Sequence, residues 1–474
     1  MKTNYLFTIL ALFLAVTFIH AQTIVPPGKV EGRWTLDKSP YTIEGAIYVN
    51  NGTTLFIEPG VEVLFKTNDR VNIHGRLHAV GTDRQPIHFT AVDKNEGWGG
   101  IWWPRTNSDN DTSKLIYCHL EYGRAQSESP YNSGGVVGVR NFSKLLIRHC
   151  TFEYNKALHH SKTAPSGGAI SLWYSDIRIS HCIFRYNLAA YGGALAINGY
   201  SNPIIDNCLF YSNCVSSYGG AVEVYDHSKP SFVSCTFADN HAVFSGGAFD
   251  NCLSSSAYLL NCIVWHNTAG MSGDQVNIRS ERSTIKMFYC NLEGGVEAIS
   301  GFPTVGTFKE MLNAYPIFLN TNDGPYTLSP FSPCLETGTI ECKYFPDGWC
   351  CPCNDLANTQ RICKQKIDIG CYEYKASLPP GDDDIEELRD LKVAVYPSPI
   401  KSSATIEYEL LETKLVKMVV YDMQGRVVSE TPLTVQQPGM HQINWDAKSL
   451  SKGIYVYKLK AGNKVNSGQL IVTK

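Results

Sequence analysis

Two short phrases recur in fixed register through the middle of the chain, and few folds accept such a pattern. A Gly-Gly pair stands at Gly134/Gly135, Gly167/Gly168, Gly192/Gly193, Gly219/Gly220 and Gly246/Gly247, at intervals of 33, 25, 27 and 27 residues. The second phrase sets a Cys after a His, Asn or Ser, with an Asn five residues later: IRHCTFEYN, IRISHCIFRYN, IIDNCLFYSN, FVSCTFADN and LLNCIVWHN. Cys150, Cys182, Cys208, Cys235 and Cys262 therefore fall in register, as do Asn155, Asn187, Asn213, Asn240 and Asn267. A steady period of this size means a solenoid, in which each unit buries its apolar face only by stacking on the next.

The residues around the Cys give the shape of one unit. Ile179, Ile205, Val233 and Leu260, just before the His/Asn/Ser position, are read as facing inward, and so is the Cys just after it. The chain must bend between them, in the left-handed conformation that Asn and His enter more readily than most residues. Two short strands meeting at one bent residue, with a third after Gly-Gly, describe one coil of a parallel β-helix. Composition agrees: 39 Gly, 26 Tyr and only 7 Met favour strands and turns over helices. Periods near 27 predict roughly ten coils. Stacking at about 4.8 Å turns the Asn residues into a ladder of side-chain amides. The Cys column should remain thiols packed as small hydrophobes, because parallel Cβ vectors about 4.8 Å apart are too far apart for a disulfide.

In the strands after Gly-Gly, inward Ile170, Leu195, Val222 and Phe249 leave Ser171, Ala196, Glu223 and Asp250 pointing outward. Glu223 and Asp250 then sit on adjacent coils, suited to share a calcium ion or to act as acid and base. Trp173, Tyr225 and Asp226 beside them complete a candidate sugar-binding row. No basic partner is in register from Gly167 to Gly270, where Arg178, Arg185 and Lys229 are scattered, so the pair is read as acids on a solvated face. His149 and His181 share the bend position, but Asn207, Ser234 and Asn261 share it too, which favours a polar bend residue over a metal site. No metal or other cofactor is assigned, and no Ser-His-Asp, HExxH or P-loop signature occurs. With 41 Lys+Arg against 44 Asp+Glu, the chain offers no electrostatic hold on nucleic acid.

The flanks define destination. Lys2, apolar Leu6 to Phe18 and Ala21 before Gln22 read as a secretory signal peptide over residues 1–21, too short for a membrane-spanning helix. The first Cys is Cys118, so a lipoprotein anchor is not expected. The solenoid is placed at 22–333 and a cap at 334–376. That cap holds seven cysteines, Cys334, Cys342, Cys350, Cys351, Cys353, Cys363 and Cys371. In an exported protein these predict disulfides, with one left over; their spacing fits no two-knuckle zinc pattern. A Pro-rich and acidic linker follows at 377–391. From 392 to 474, short strand-like runs predict a small Ig-like β-sandwich.

These features carry a resemblance. GRWTLDKSPYTIEGAIYVNNGTTLFIEPGVEVLF, WGGIWW, FSPCLETGT, DLANTQRI and DIGCYEY resemble secreted right-handed parallel β-helix proteins of the Bacteroidetes type, apart from an inserted ECKYFPDGWCCPC. The phrases VYPSP, VVYDMQGRVV, INWDAKSLSKGIYVYKL and QLIVTK resemble the type IX secretion C-terminal sorting domain, with Ser398 where that family usually has Asn. Its motif residues fall on Tyr396, Pro397, Pro399, Gly425, Gly453 and Tyr455. The resemblance implies a partner in the type IX machinery and a location outside the outer membrane. Polysaccharide or host glycan is the expected ligand, held by a non-catalytic binding or adhesion module. A polysaccharide lyase or glycoside hydrolase on the Glu223/Asp250 face is the alternative.

Overall fold

A computed structural model describes residues 22–473, apart from 127–131, 159–164, 303–305, 322–323, 347–348, 350, 363–365, 375–392, 398, 411–412, 423–425 and 462–463. The signal-peptide and linker segments, Cys350, Cys363, Ser398 and Gly425 thus lie outside the described residues. The chain forms two compact units. The first runs to Phe308 apart from Asn261–Trp265 and Phe288–Gly295; the second comprises those two segments and Lys309–Lys474.

The solenoid is built of three long parallel sheets of 11 strands each, one strand per coil, so there are eleven coils where the period predicted about ten. A fourth, six-stranded sheet runs from Arg124–Ala125 to Thr268–Ala269. Parallel pairing follows from the repeat itself: identical phrases one period apart meet only with the same direction and register.

Stacked identical residues fill the interior. Phe152, Phe184, Phe210 and Phe237 stack face to face, with centroids 4.8, 4.7 and 4.6 Å apart. Asn155 Nδ2 donates to Asn187 Oδ1 at 3.1 Å, Asn187 to Asn213 at 2.9 Å, Asn213 to Asn240 at 2.9 Å and Asn240 to Asn267 at 2.8 Å. Each Oδ1 also accepts the backbone N–H of the preceding Asn. These amides are fully buried, so the ladder meets a requirement that water cannot. Gln275 terminates it, accepting from Asn267 Nδ2 at 2.7 Å.

The Cys column is buried and extends to Cys118 and Cys290. Cys150 N–H donates to Cys182 Sγ and Cys182 N–H to Cys208 Sγ. No disulfide joins any described cysteine, those of the cap included. Burial raises the thiols of Cys118, Cys182 and Cys208 well above the usual range, which keeps them protonated and unreactive.

The bend residues His149, His181, Asn207, Ser234 and Asn261 all have φ between 50° and 53°. One part of the parity differs from expectation. Ile179, Ile205, Phe232 and Leu259 share the inward register, whereas Val233 and Leu260 align with Ser180 and Asp206. Adjacent apolar pairs, Phe232-Val233 and Leu259-Leu260, hide the alternation. A second left-handed bend lies just before the ladder Asn, at Tyr154, Tyr186, Ser212, Asp239 and His266, and one coil earlier at Tyr122 before Gly123. The Gly-Gly pair answers a steric demand: a Cβ on Gly168 or Gly220 would lie 2.0 Å from the carbonyl oxygen of the next coil's Gly.

In the second unit, Ile263, Trp265, Leu328, Cys334 and Ile369 form the core beneath the cap. Arg361, with a fully buried side chain, donates to Glu373 and to the carbonyls of Asp368 and Gly370. The C-terminal region is antiparallel, with one three-stranded sheet and one five-stranded sheet around Trp445, Tyr455 and Leu459.

Candidate functional site

Glu223 lies on strand Val222–Val224, paired in register with Asp250 on Phe249–Asn251, which in turn pairs with Asn277. The outward row Ser171, Ala196, Glu223, Asp250 and Asn277 is buried, with Glu223 5% and Asp250 0% exposed. This corrects the solvated face expected of the pair. The cause is Arg279, whose Nη2 lies 2.9 Å from both Glu223 Oε1 and Asp250 Oδ2. Its Nε donates to Asp250 Oδ2 at 2.9 Å, while Asn277 Nδ2 donates to Asp250 Oδ1 at 2.7 Å. The guanidinium lies 4.4 Å from the Tyr218 ring centroid and 5.6 Å from that of Tyr191, which completes a cation–π roof.

Two carboxylates and one guanidinium cannot all be charged cheaply out of water. Burial pushes Glu223 up to about 8, the Asp250 charge adds to the shift, and Arg279 opposes it. Burial raises Asp250 too, against Arg279 and Asn277. Asp250 accepts more donors, so the negative charge belongs there and the proton on Glu223, which leaves the cluster neutral. A protonated acid beside a carboxylate is the pairing acid–base chemistry uses. Here, however, Arg279 already bonds both groups.

The remaining candidates lie two or three residues further along the chain from this row. Trp173 aligns with Arg140 and Asn198 on neighbouring coils, with the Arg140 guanidinium 6.0 Å from its ring centroid. Tyr225 and Trp173 are half-buried. Asp226 Oδ1 pairs with His227 Nδ1 at 3.1 Å. At the adjoining bend stand three rings the sequence reading missed. Tyr174 and Tyr200 stack at 6.4 Å, and Tyr200 and His227 at 4.8 Å and 6°. Tyr174 is 46% and Tyr200 56% exposed. Gly199 makes room, since a Cβ there would come within 3.2 Å of both the Trp173 and Tyr174 rings. The signal was present in the sequence: each ring immediately precedes Ser175, Ser201 or Ser228, whose hydroxyls accept backbone N–H groups of the coil before.

The two bend histidines are in contact, His149 lying between Tyr117 and His181 at ring distances of 4.5 and 4.7 Å. Burial lowers His149 to about 4, so it packs as a neutral ring. In the C-terminal region, Tyr396 donates to Glu407, Pro397 and Pro399 are exposed, Gly453 opens strand Gly453–Ala461, and Tyr455 is buried against Trp445.

Comparison with known proteins fits this architecture. A family described as a right handed beta helix region matches residues 106–286, and one described as a pectate-lyase like beta helix domain matches 28–140. The secretion system C-terminal sorting domain matches 394–473. The chain is a right-handed β-helix protein with a type IX sorting domain. That tail directs it to the cell surface or the extracellular space, and no described helix is long and apolar enough to cross a membrane. The crystal structure of the enzymatically active domain of Bacteriophage CBA120 tailspike protein 4 is similar at 12% identity. The match covers 95% of this chain and 65% of that one, with a TM-score of 0.26. The chain thus spans less than two thirds of that domain's length, and so weak a superposition carries no functional argument. No curated protein matches the chain.

Proposed function

We propose that the exported β-helix is a binding module that holds a polysaccharide or host glycan without cleaving it. The ligand lies along the corner formed by Trp173, Tyr174, Tyr200, Tyr225 and Asp226. The observation that carries this reading is the exposed stack of rings on successive coils. Tyr and Trp present an apolar body with a polar handle, which suits a sugar's mixed surface. Coils repeating at about 4.8 Å extend that surface along one line, as a linear polymer requires. Retardation of the purified protein in gels containing acidic or neutral polysaccharide tests it. Trp173→Ala and Tyr200→Ala should each weaken retardation about tenfold, or 1.4 kcal/mol. Unchanged retardation in both variants would overturn the reading.

A lyase or glycoside hydrolase is the second reading. It is favoured by Glu223, held protonated up to about 8 beside Asp250. It requires Arg279 to leave the pair when substrate binds. Calcium at this pair would face the same demand, since Arg279 already neutralises both acids.

A further inference from the structure

A different face of the helix brings together a second set of chemically capable groups. Strands Ile87–Ala91, Cys118–Glu121 and Thr151–Glu153 run parallel and in register, with His88 beside His119 and Glu121 beside Glu153. Inward Phe89, Leu120 and Phe152 leave His119 and Glu121 on the outer surface of one strand, with Glu153 on the next coil. Each of His119, Glu121 and Glu153 offers a ligand atom within 4.8 Å of the others. We propose that His119, Glu121 and Glu153 form a binding site for a divalent transition metal of the zinc type.

The donor set suits that class. Imidazole nitrogen and carboxylate oxygen are both zinc ligands, and three protein groups leave a fourth position open for water. Both carboxylates already have outer partners that orient them. Thr90 Oγ1 donates to Glu121 Oε1 at 2.8 Å. Arg185 donates from Nε to Glu153 Oε2 at 2.5 Å and from Nη1 to the Tyr211 hydroxyl at 3.0 Å. The other oxygen of Glu153 faces His119 Nε2 at 2.6 Å, and a metal would take the place of the hydrogen between them. His88 packs edge-on to His119 at 5.3 Å. Glu62, beside His88 on the preceding coil, adds a third carboxylate to those of Glu121 and Glu153. The field therefore favours a dication.

The test is calorimetric titration of zinc chloride into the full chain after chelator treatment, with thermal unfolding as a second readout. Wild type should bind close to one equivalent at about 10 µM or tighter and unfold at a higher temperature with zinc present. His119→Ala and Glu121→Gln should each weaken binding at least tenfold and lose the thermal shift. Glu153→Gln should do the same; because it also loosens Arg185, the other two variants decide. Absence of binding to wild type would overturn the proposal. So would binding that the variants leave unchanged, which would place the metal elsewhere, as on the cap thiols.

Discussion

Two clusters on one solenoid contain nearly the same groups and come to opposite electrostatic states. Glu223 and Asp250 share Arg279; Glu153, paired in register with Glu121, bonds Arg185 and His119. In the first cluster the acids are sealed beneath Tyr191, Tyr218 and the arginine, so burial dominates and Glu223 keeps its proton up to about 8. In the second, Glu153 collects bonds from both His119 and Arg185 and is pushed down to about 2. Which way a carboxylate shifts depends on its donors weighed against its desolvation, not on having an arginine nearby. The first cluster therefore acts as a neutral structural plug, and the second stays charged.

The largest expected effect comes from breaking the plug. Arg279→Met leaves two buried acids without a cation and should cost about 3–5 kcal/mol at pH 7 by chemical denaturation. The loss should shrink at pH 5, where both acids can take protons. Arg185→Met leaves the buried Glu153 its bond to His119 and should cost less, about 1–3 kcal/mol. Equal losses in the two variants would erase the contrast. Asn213→Ala sets an uncharged scale, since it removes the acceptor for Asn187 and should cost about 1–3 kcal/mol.

Next in size are two opposed pH profiles. Glu223 has a folded value of about 8, above the ordinary 4.5, so the native state holds a proton the unfolded chain has lost, and stability falls as pH rises from 4.5 to 8. Glu153 has a folded value of about 2, below 4.5, so stability is full above 4.5 and falls as pH drops through this window toward 2. Glu223→Gln should flatten the neutral-side slope alone, and Glu153→Gln the acid-side slope alone, in denaturation midpoints measured across pH. The smallest effect on stability is expected at the exposed corner, where Tyr200→Ala should shift it by no more than about 0.5 kcal/mol. Its glycan retardation should nonetheless fall.

What repeats was legible in the sequence, because stacking forces one residue type into one place on every coil. The Asn and Cys columns, the bends at His149 and Asn207, and the inward row from Ile170 to Phe249 all rest on that constraint. Partners that reach across coils were not legible. Arg279 touches a residue 56 positions back, and no periodicity announces it. His119 and Glu121 show only an alternate spacing, and Glu153 joins them through pairing with the next coil. The exposed Tyr174 and Tyr200 were passed over because bend residues carry no core pattern, although the Ser after each one is periodic. Cap disulfides were inferred from compartment alone, which sets what can form but does not bring two sulfurs together.

The measurement that bears most directly on the sealed pair is incubation of the purified protein and its Glu223→Gln variant with a panel of acidic and neutral polysaccharides. Both chain length and retention would be scored. A neutral plug and a separate binding corner predict retention of at least one polymer, no shortening, and no difference between the two proteins. Shortening by wild type that disappears in Glu223→Gln would contradict it and make Glu223 a catalytic acid.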